Sequence, residues 1–239
     1  MKTVKSLKLR NGVDSDRLSD AVYETVLVLI IEGKLAPGMI VSELELSRKL
    51  NVSRTPVHDA LKQLAKDGLV TQKANKRAVV AGFTADDVFD IFEMRKLLET
   101  EAARRAATRI DRLDLTRLRD TANRISKAVN KPDWIGQWTE FDELFHKTIA
   151  EASGSLRLAL DIARYRMLHR AFNRHSTTGD VLGQALAEHL RILEALESRD
   201  AKAAAAEMRA HIHEWQTYFV GQFKRKANAS VIERRLKIV

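Results

Sequence analysis

The apolar residues Leu18, Val22, Val26, Leu29 and Ile30 recur every three to four positions, which is the period of one helix face. The pattern predicts a helix over 15–32, ended by Gly33 and by the turn of "APG" at 36–38. Ser42, with Glu45 three residues on, forms a capping box for a second helix, "ELELSRKL", that stops at Asn51. Ser53 caps a third, "RTPVHDALKQLAKDG", which tolerates Pro56 in its first turn and ends at Gly68. "LVTQKANKRAVVAGF" then alternates apolar and polar residues like a small β-hairpin with a basic tip at 73–77. From Thr84 onward only the helical period appears. It predicts six helices near 84–107, 111–130, 133–152, 155–175, 179–198 and 200–225, with Pro132 and Gly154 among the breaks. The expected fold is mainly α: a helix–turn–helix with a hairpin wing, then an all-α bundle of about six helices. The boundaries fall at 1–83 and 84–227, with a basic tail at 228–239.

A chain of 239 residues with 45% hydrophobic and 31% charged residues can bury a real core, and three prolines leave little room for linkers. It has no cysteine, which excludes disulfides and thiolate metal sites and suits a reducing cytoplasm, the expected location. "VLVLII" at 26–31 is far too short to span a bilayer, so neither a membrane segment nor a secretory signal is expected. The net charge of +9 is unevenly placed. Residues 1–83 hold 14 Lys/Arg against 9 Asp/Glu, residues 84–223 hold 21 against 22, and residues 224–239 hold 6 against 1. Basic ends around a neutral body suit a protein with one part facing nucleic acid.

Helix, tight turn, helix and basic hairpin is the order of a winged helix-turn-helix, whose second helix offers its N-terminal turns to the major groove. Ser53, Arg54, Thr55 and His58 occupy those turns, and Arg48 lies on the helix before. Arg54 is the candidate for bidentate recognition of guanine. Lys73, Lys76 and Arg77 on the wing are placed for phosphates or the minor groove. In the bundle, "FDELFH" at 141–146 sets Asp142 and His146 one helical turn apart beside two phenylalanines. That is either a solvated i,i+4 contact or half of a metal site.

"IIEGKLAPGMIVSELELSRKLNVSRTPVHDALKQLAKDGLV" resembles the N-terminal domain of GntR-family transcription regulators, especially the FadR-type branch. About forty consecutive residues carry "G-x-L-x-PG", "L-x-x-x-L-x-VSRTPV-x-x-AL" and "L-x-x-DGLV". Two positions depart from the family: His58 stands where an arginine is usual, and Arg77-Ala78 where the wing usually turns on Arg-Gly. The resemblance implies a C-terminal ligand-sensing bundle of the FCD type, in which one acidic residue and three histidines often hold a metal. Asp142, His146, His189 and His211 supply such a set. Periodicity turns His189 inward with Leu186, Leu193 and Leu196, and His211 inward with Met208 and Trp215, while His213 must point elsewhere. Imidazoles and a carboxylate without sulfur suit Zn²⁺, Ni²⁺ or Mn²⁺ and do not select among them. Four ligands on an octahedral ion leave two positions for waters or a small carboxylate effector. Arg95, in "MRKLLE", resembles the family's "R-x-x-L-E" and is either a partner for that carboxylate or half of a surface ion pair with Glu99. Arg166, His169, Arg170, Asn173 and His175 lie on the fourth bundle helix, with no indication which of them line the cavity.

The expected function is a ligand-responsive transcription regulator, a repressor by preference and not an enzyme. Two chains would join through the bundle and read a palindromic double-stranded DNA operator, and a small organic acid would shift the spacing of the DNA-binding domains. Two alternatives stand beside it: a regulator whose signal is the ion itself, and a metal-dependent hydrolase fused to a DNA-binding module. The hydrolase is disfavoured because the bundle has no adjacent His-Asp pair and no HExxH, and no spare inward carboxylate is expected near the histidines.

Overall fold

The computed structural model describes the backbone of residues 15–72, 77–129, 131, 133–176 and 179–236, with side chains described at 17–72, 77–129, 131, 133–170 and 181–225. It divides into two compact units, Met1–Thr84 and Ala85–Val239. The first holds α1 (Ser15–Ile31), β1 (Ile40–Val41), α2 (Glu43–Leu50), α3 (Arg54–Lys66), β2 (Val70–Thr71) and β3 (Ala78–Val80). α1 packs on α3 through Val22, Tyr23, Val26, Leu27 and Ile30 against Val57, Leu61 and Leu64, all buried. The buried face is rotated from the one read off the sequence. Tyr23 and Leu27 are inside, and Leu18 and Leu29 are only half-buried. Tyr23 earns its place by donating its hydroxyl to Asp67 Oδ2 at 2.7 Å, since a buried phenol needs an acceptor.

The helix-turn-helix forms as the capping residues direct. Ser42 Oγ accepts from Glu45 N at 3.4 Å, and Asn51 ends α2 in the left-handed conformation, at φ 54°, which Asn adopts more readily than most residues. Ser53 sits at the N-cap of α3 but makes no side-chain cap bond. The wing is part of a three-stranded antiparallel sheet in the order β1-β3-β2, with Ile40 opposite Val79 and Val70 opposite Val80. β1, two residues long, was not read from the sequence.

The second unit contains the six expected helices: α4 (Ala85–Arg109), α5 (Arg112–Ser126), α6 (Trp134–Ala152), α7 (Leu156–Ser176), α8 (Gly179–Glu197) and α9 (Ala201–Leu236). α4 is central, touching α6, α7, α8 and α9. Its buried Ala102, Ala103, Ala106 and Ala107 carry little side chain, so neighbouring helices approach closely. α9 runs through the boundary expected at 227 and continues to Leu236. Among the described residues no helix is long and apolar enough to cross a membrane.

Candidate metal centre and nucleic-acid interface

α6 buries Trp138, Phe141, Phe145 and Ile149 on one stripe, and Asp142 and His146 lie along the same buried face. α8 turns His189 inward beside Leu186 and Leu193, and α9 turns His211 inward with Met208 and Trp215. His213, two residues on, is exposed. The three inward histidines come together, with one ring nitrogen of each within 4.8 Å of the others. His189 Nε2 lies 3.3 Å from His211 Nε2. Asp142 Oδ1 lies 3.6 Å from His146 Nε2 and from His189 Nε2. Ligands about 2.1 Å from one ion and 90–110° apart are themselves about 3.0–3.4 Å apart; the His189–His211 spacing falls in that range and the two Asp142 distances lie just beyond it. His146 Nε2 is buried and has no hydrogen-bond partner, which also fits a metal ligand. The "FDELFH" pair is therefore no solvated contact.

Two buried carboxylates orient these rings. Glu99 accepts from His146 Nδ1. Glu188 accepts from His211 Nδ1 at 2.7 Å and from Trp215 Nε1 at 3.3 Å. Each fixes the proton on Nδ1 and leaves Nε2 free to ligate, the usual arrangement behind metal-bound histidine. His189 is held by stacking instead, between Phe145 and Trp138 at ring-centroid distances of 4.1 and 5.1 Å. The expectation that no spare inward carboxylate lies near the histidines is thus corrected. In the sequence Glu99 reads only as a surface partner for Arg95 and Glu188 is passed over, because a helical carboxylate is ordinarily exposed and only tertiary packing brings these two to the rings. Both are engaged with histidine Nδ1, which leaves neither as a free base.

Burial pushes the His189 and His169 imidazoles well below their ordinary pKa and lowers that of His211, so the neutral, ligating form is favoured. Burial alone would raise Asp142 and Glu99. The guanidiniums of Arg166 and Arg95, with the nearby histidines, outweigh it and hold both carboxyls well below the usual range.

Arg95 is buried, 1% exposed; its Nε donates to Glu99 Oε1 at 2.7 Å. Arg95 therefore forms the i,i+4 pair with Glu99, but buried instead of lying on the surface. Its Nη1 has no partner, and with His169, Asp142, Trp138 and His211 it lines a cavity of about 10 Å³. That is space for about one water-sized body. Of the other residues on α7, Arg166 is buried and donates to Asp142 Oδ2 at 2.7 Å. Arg170 reaches Glu143 Oε1 at 3.4 Å. The side chains of Asn173 and His175 lie outside the described residues.

In the first unit Arg48, Ser53, Arg54, Thr55 and Arg77 are exposed and His58 is half-exposed. Lys73 and Lys76 lie outside the described residues. Ser42, Glu43, Arg54, Gln72 and Arg77 line one groove between the start of α2, the start of α3 and the wing. Glu43, which sequence reasoning passed over, bridges two of the candidate recognition residues. Arg54 Nη2 donates to its Oε2 at 3.3 Å, and His58 Nδ1 lies 2.8 Å from its Oε1.

Comparison with known proteins places both units. Residues 18–80 match the model of the bacterial regulatory proteins, gntR family, and residues 90–214 match the FCD domain. The HTH-type transcriptional regulator YdhC of Bacillus subtilis is 26% identical over 192 residues, covering 80% of this chain and 86% of that protein. The HTH-type transcriptional repressor RspR of Escherichia coli is 26% identical over 206 residues, covering 82% and 86%. Among solved structures, E. coli McbR/YncC aligns with a TM-score of 0.68 at 18% identity, covering 88% of this chain and 99% of that one. That likeness speaks to the fold alone.

Proposed function

The chain belongs to the GntR family of bacterial regulatory proteins and carries an FCD domain, and from that premise we propose what its helical unit senses. It is a transcriptional regulator; its domains and relatives are those of a DNA-binding protein, not of an enzyme. In our reading residues 1–83 bind an operator and residues 84–227 bind one divalent cation, Zn²⁺, Ni²⁺ or Mn²⁺, through His146, His189, His211 and Asp142. The cation supplies a Lewis-acidic anchor for a small organic acid. Arg95 Nη1 and the His169 ring, buried without partners on the cavity wall, meet the acid's carboxylate. Two chains pair on a palindromic operator in the cytoplasm and repress, as the name of the relative RspR suggests.

The observation that carries this reading is the convergence of three Nδ1-anchored or stacked imidazoles from α6, α8 and α9 on one point. One feature of the cavity favours a second reading, a regulator whose signal is the ion alone. The cavity of about 10 Å³ has room for an ion and little else, so an organic acid requires its wall to open. Titrating operator binding with each metal, then adding candidate acids to the metal-loaded protein, separates the two. A response to metal that no acid changes supports the ion as signal. A protein that takes up none of the three metals loses both readings.

A further inference from the structure

The start of the recognition helix carries an arrangement that exposed base readers do not need for folding. Glu43 is the first residue of α2, where the free N–H groups of the helix favour an anion. Its two oxygens are shared out: Oε2 to Arg54 at 3.3 Å and Oε1 to His58 Nδ1 at 2.8 Å. Arg54 and His58 stand four residues apart on one face of α3. Arg54 is 68% exposed, His58 43% and Glu43 23%. A pair this exposed adds little stability. Its consequence is orientation.

We propose that Glu43 is a specificity-determining residue that holds Arg54 and His58 as one unit, so that α3 reads a guanine with Arg54 and the adjoining base pair with His58. The inference rests on the reading of α3 as the recognition helix. An untethered arginine at a DNA surface is drawn to the nearest phosphate, a contact blind to sequence. The Glu43 carboxylate uses one of the five guanidinium N–H groups and repels phosphate, which leaves the remaining donors for the O6 and N7 acceptors of guanine. Because a carboxylate only accepts, the His58 proton sits on Nδ1. Nε2 is then the ring nitrogen turned away from Glu43, free to meet the edge of the base pair beside that guanine. The hydrogen bond from His58, joined by that from Arg54, outweighs the small effect of burial and holds the Glu43 carboxyl below its ordinary range, which keeps it ionised for this task.

The test uses the full-length chain. Operators are selected from a random duplex pool, and affinities for the selected operator and for a scrambled duplex are measured at one salt concentration. Glu43→Gln should lower the specific-to-nonspecific ratio about tenfold, within the ~5- to 150-fold that one bidentate contact provides. Its nonspecific affinity should be unchanged or higher, because a negative charge has left the DNA face. Its selected motif should blur at two adjoining positions together. His58→Ala should relax only the position beside the guanine. A Glu43→Gln protein with an unchanged ratio and motif overturns the proposal. So does one that loses specific and nonspecific affinity in equal measure, which marks a folding defect. Arg54→Ala separates the premise from the inference. If its motif is intact, the assignment of α3 falls and the proposal with it. If its motif relaxes while that of Glu43→Gln does not, only the role of Glu43 falls.

Discussion

At the residue scale, the chemistry of the bundle depends on which nitrogen of each histidine faces inward. Glu188 fixes that for His211 and Glu99 for His146. Removing such an outer partner commonly costs 10- to 100-fold in metal affinity. Glu188→Gln is therefore expected to weaken metal binding by about that factor without abolishing it, whereas His146→Ala and His211→Ala abolish it. His213→Ala, exposed on the far side of α9, retains full metal content. Elemental analysis of the purified variants, with competition against a chelator, reads all four; metal loss in His213→Ala would contradict the site. That Asp142, His146, His189 and His211 face inward was legible in the sequence because each lies in phase with an apolar stripe that must face the core. Glu99 and Glu188 were not, since a carboxylate is ordinarily a surface residue and only the packing of α4 and α8 against α6 and α9 buries these two. Glu43 escaped for a similar reason: its contacts lie 11 and 15 residues away in sequence, across the turn between α2 and α3.

At the scale of elements, the helix-turn-helix was legible almost residue by residue, because Ser42, Asn51, Ser53 and Gly68 each have a local conformational preference. Asn51 gives a check. At φ 54° a β-branched residue is disfavoured by roughly 1–2 kcal/mol, while glycine is not. Asn51→Val should lower the unfolding free energy of the first unit by about that much, and Asn51→Gly should change it little; equal effects on denaturant midpoints would show that the turn does not require the left-handed residue. β1 and the length of α9 were not legible, as two-residue strands carry no period and the polar run after Arg225 offers no stop signal. The bundle's helices make a second prediction, since α7, α8 and α9 each bring an imidazole (His169, His189 and His211) whose pKa burial lowers. With metal chelated, the unfolded chain gains protons at His169, His189 and His211 as pH falls through about 6.5, and the folded chain resists them. Stability is thus full above that pH and is lost below it, by up to roughly 1.4 kcal/mol per pH unit for each such histidine. Asp142 and Glu99, held low by Arg166 and Arg95 against their burial, add a further loss below about pH 4. Metal at 100 times its dissociation constant should add about 2.7 kcal/mol at neutral pH. That gain should fade below about pH 6 as protons compete for the ligands. Melting curves of chelated and loaded protein across pH 4–8 that never diverge at neutral pH would count against a shared metal.

For the whole molecule the two units divide the labour by charge. Residues 1–83, which include the gntR-family match, carry 14 cations against 9 anions, and the span 84–223 carries 21 against 22. A neutral body does not repel its own copy, whereas the basic first unit does, so association is expected through the bundle. One winged unit of this size covers roughly 600–1,000 Å² of DNA contact, too little for tight specific binding, and two such units on half-sites one helical turn apart supply the rest. Two full-length chains should therefore bind each operator. Light scattering or native mass spectrometry of the protein–DNA complex at saturation should give a mass of two chains of 27.0 kDa plus one duplex. The selected operator should be an inverted repeat with centres about 10 base pairs apart or a multiple of that. Moving the half-sites by five base pairs places them on opposite faces of the duplex. That change should reduce affinity toward the nonspecific level while leaving the phosphate-driven salt dependence in place. A complex of one chain per duplex at saturation, or full affinity for a single half-site, would mean that one winged unit suffices and that the bundle serves sensing alone.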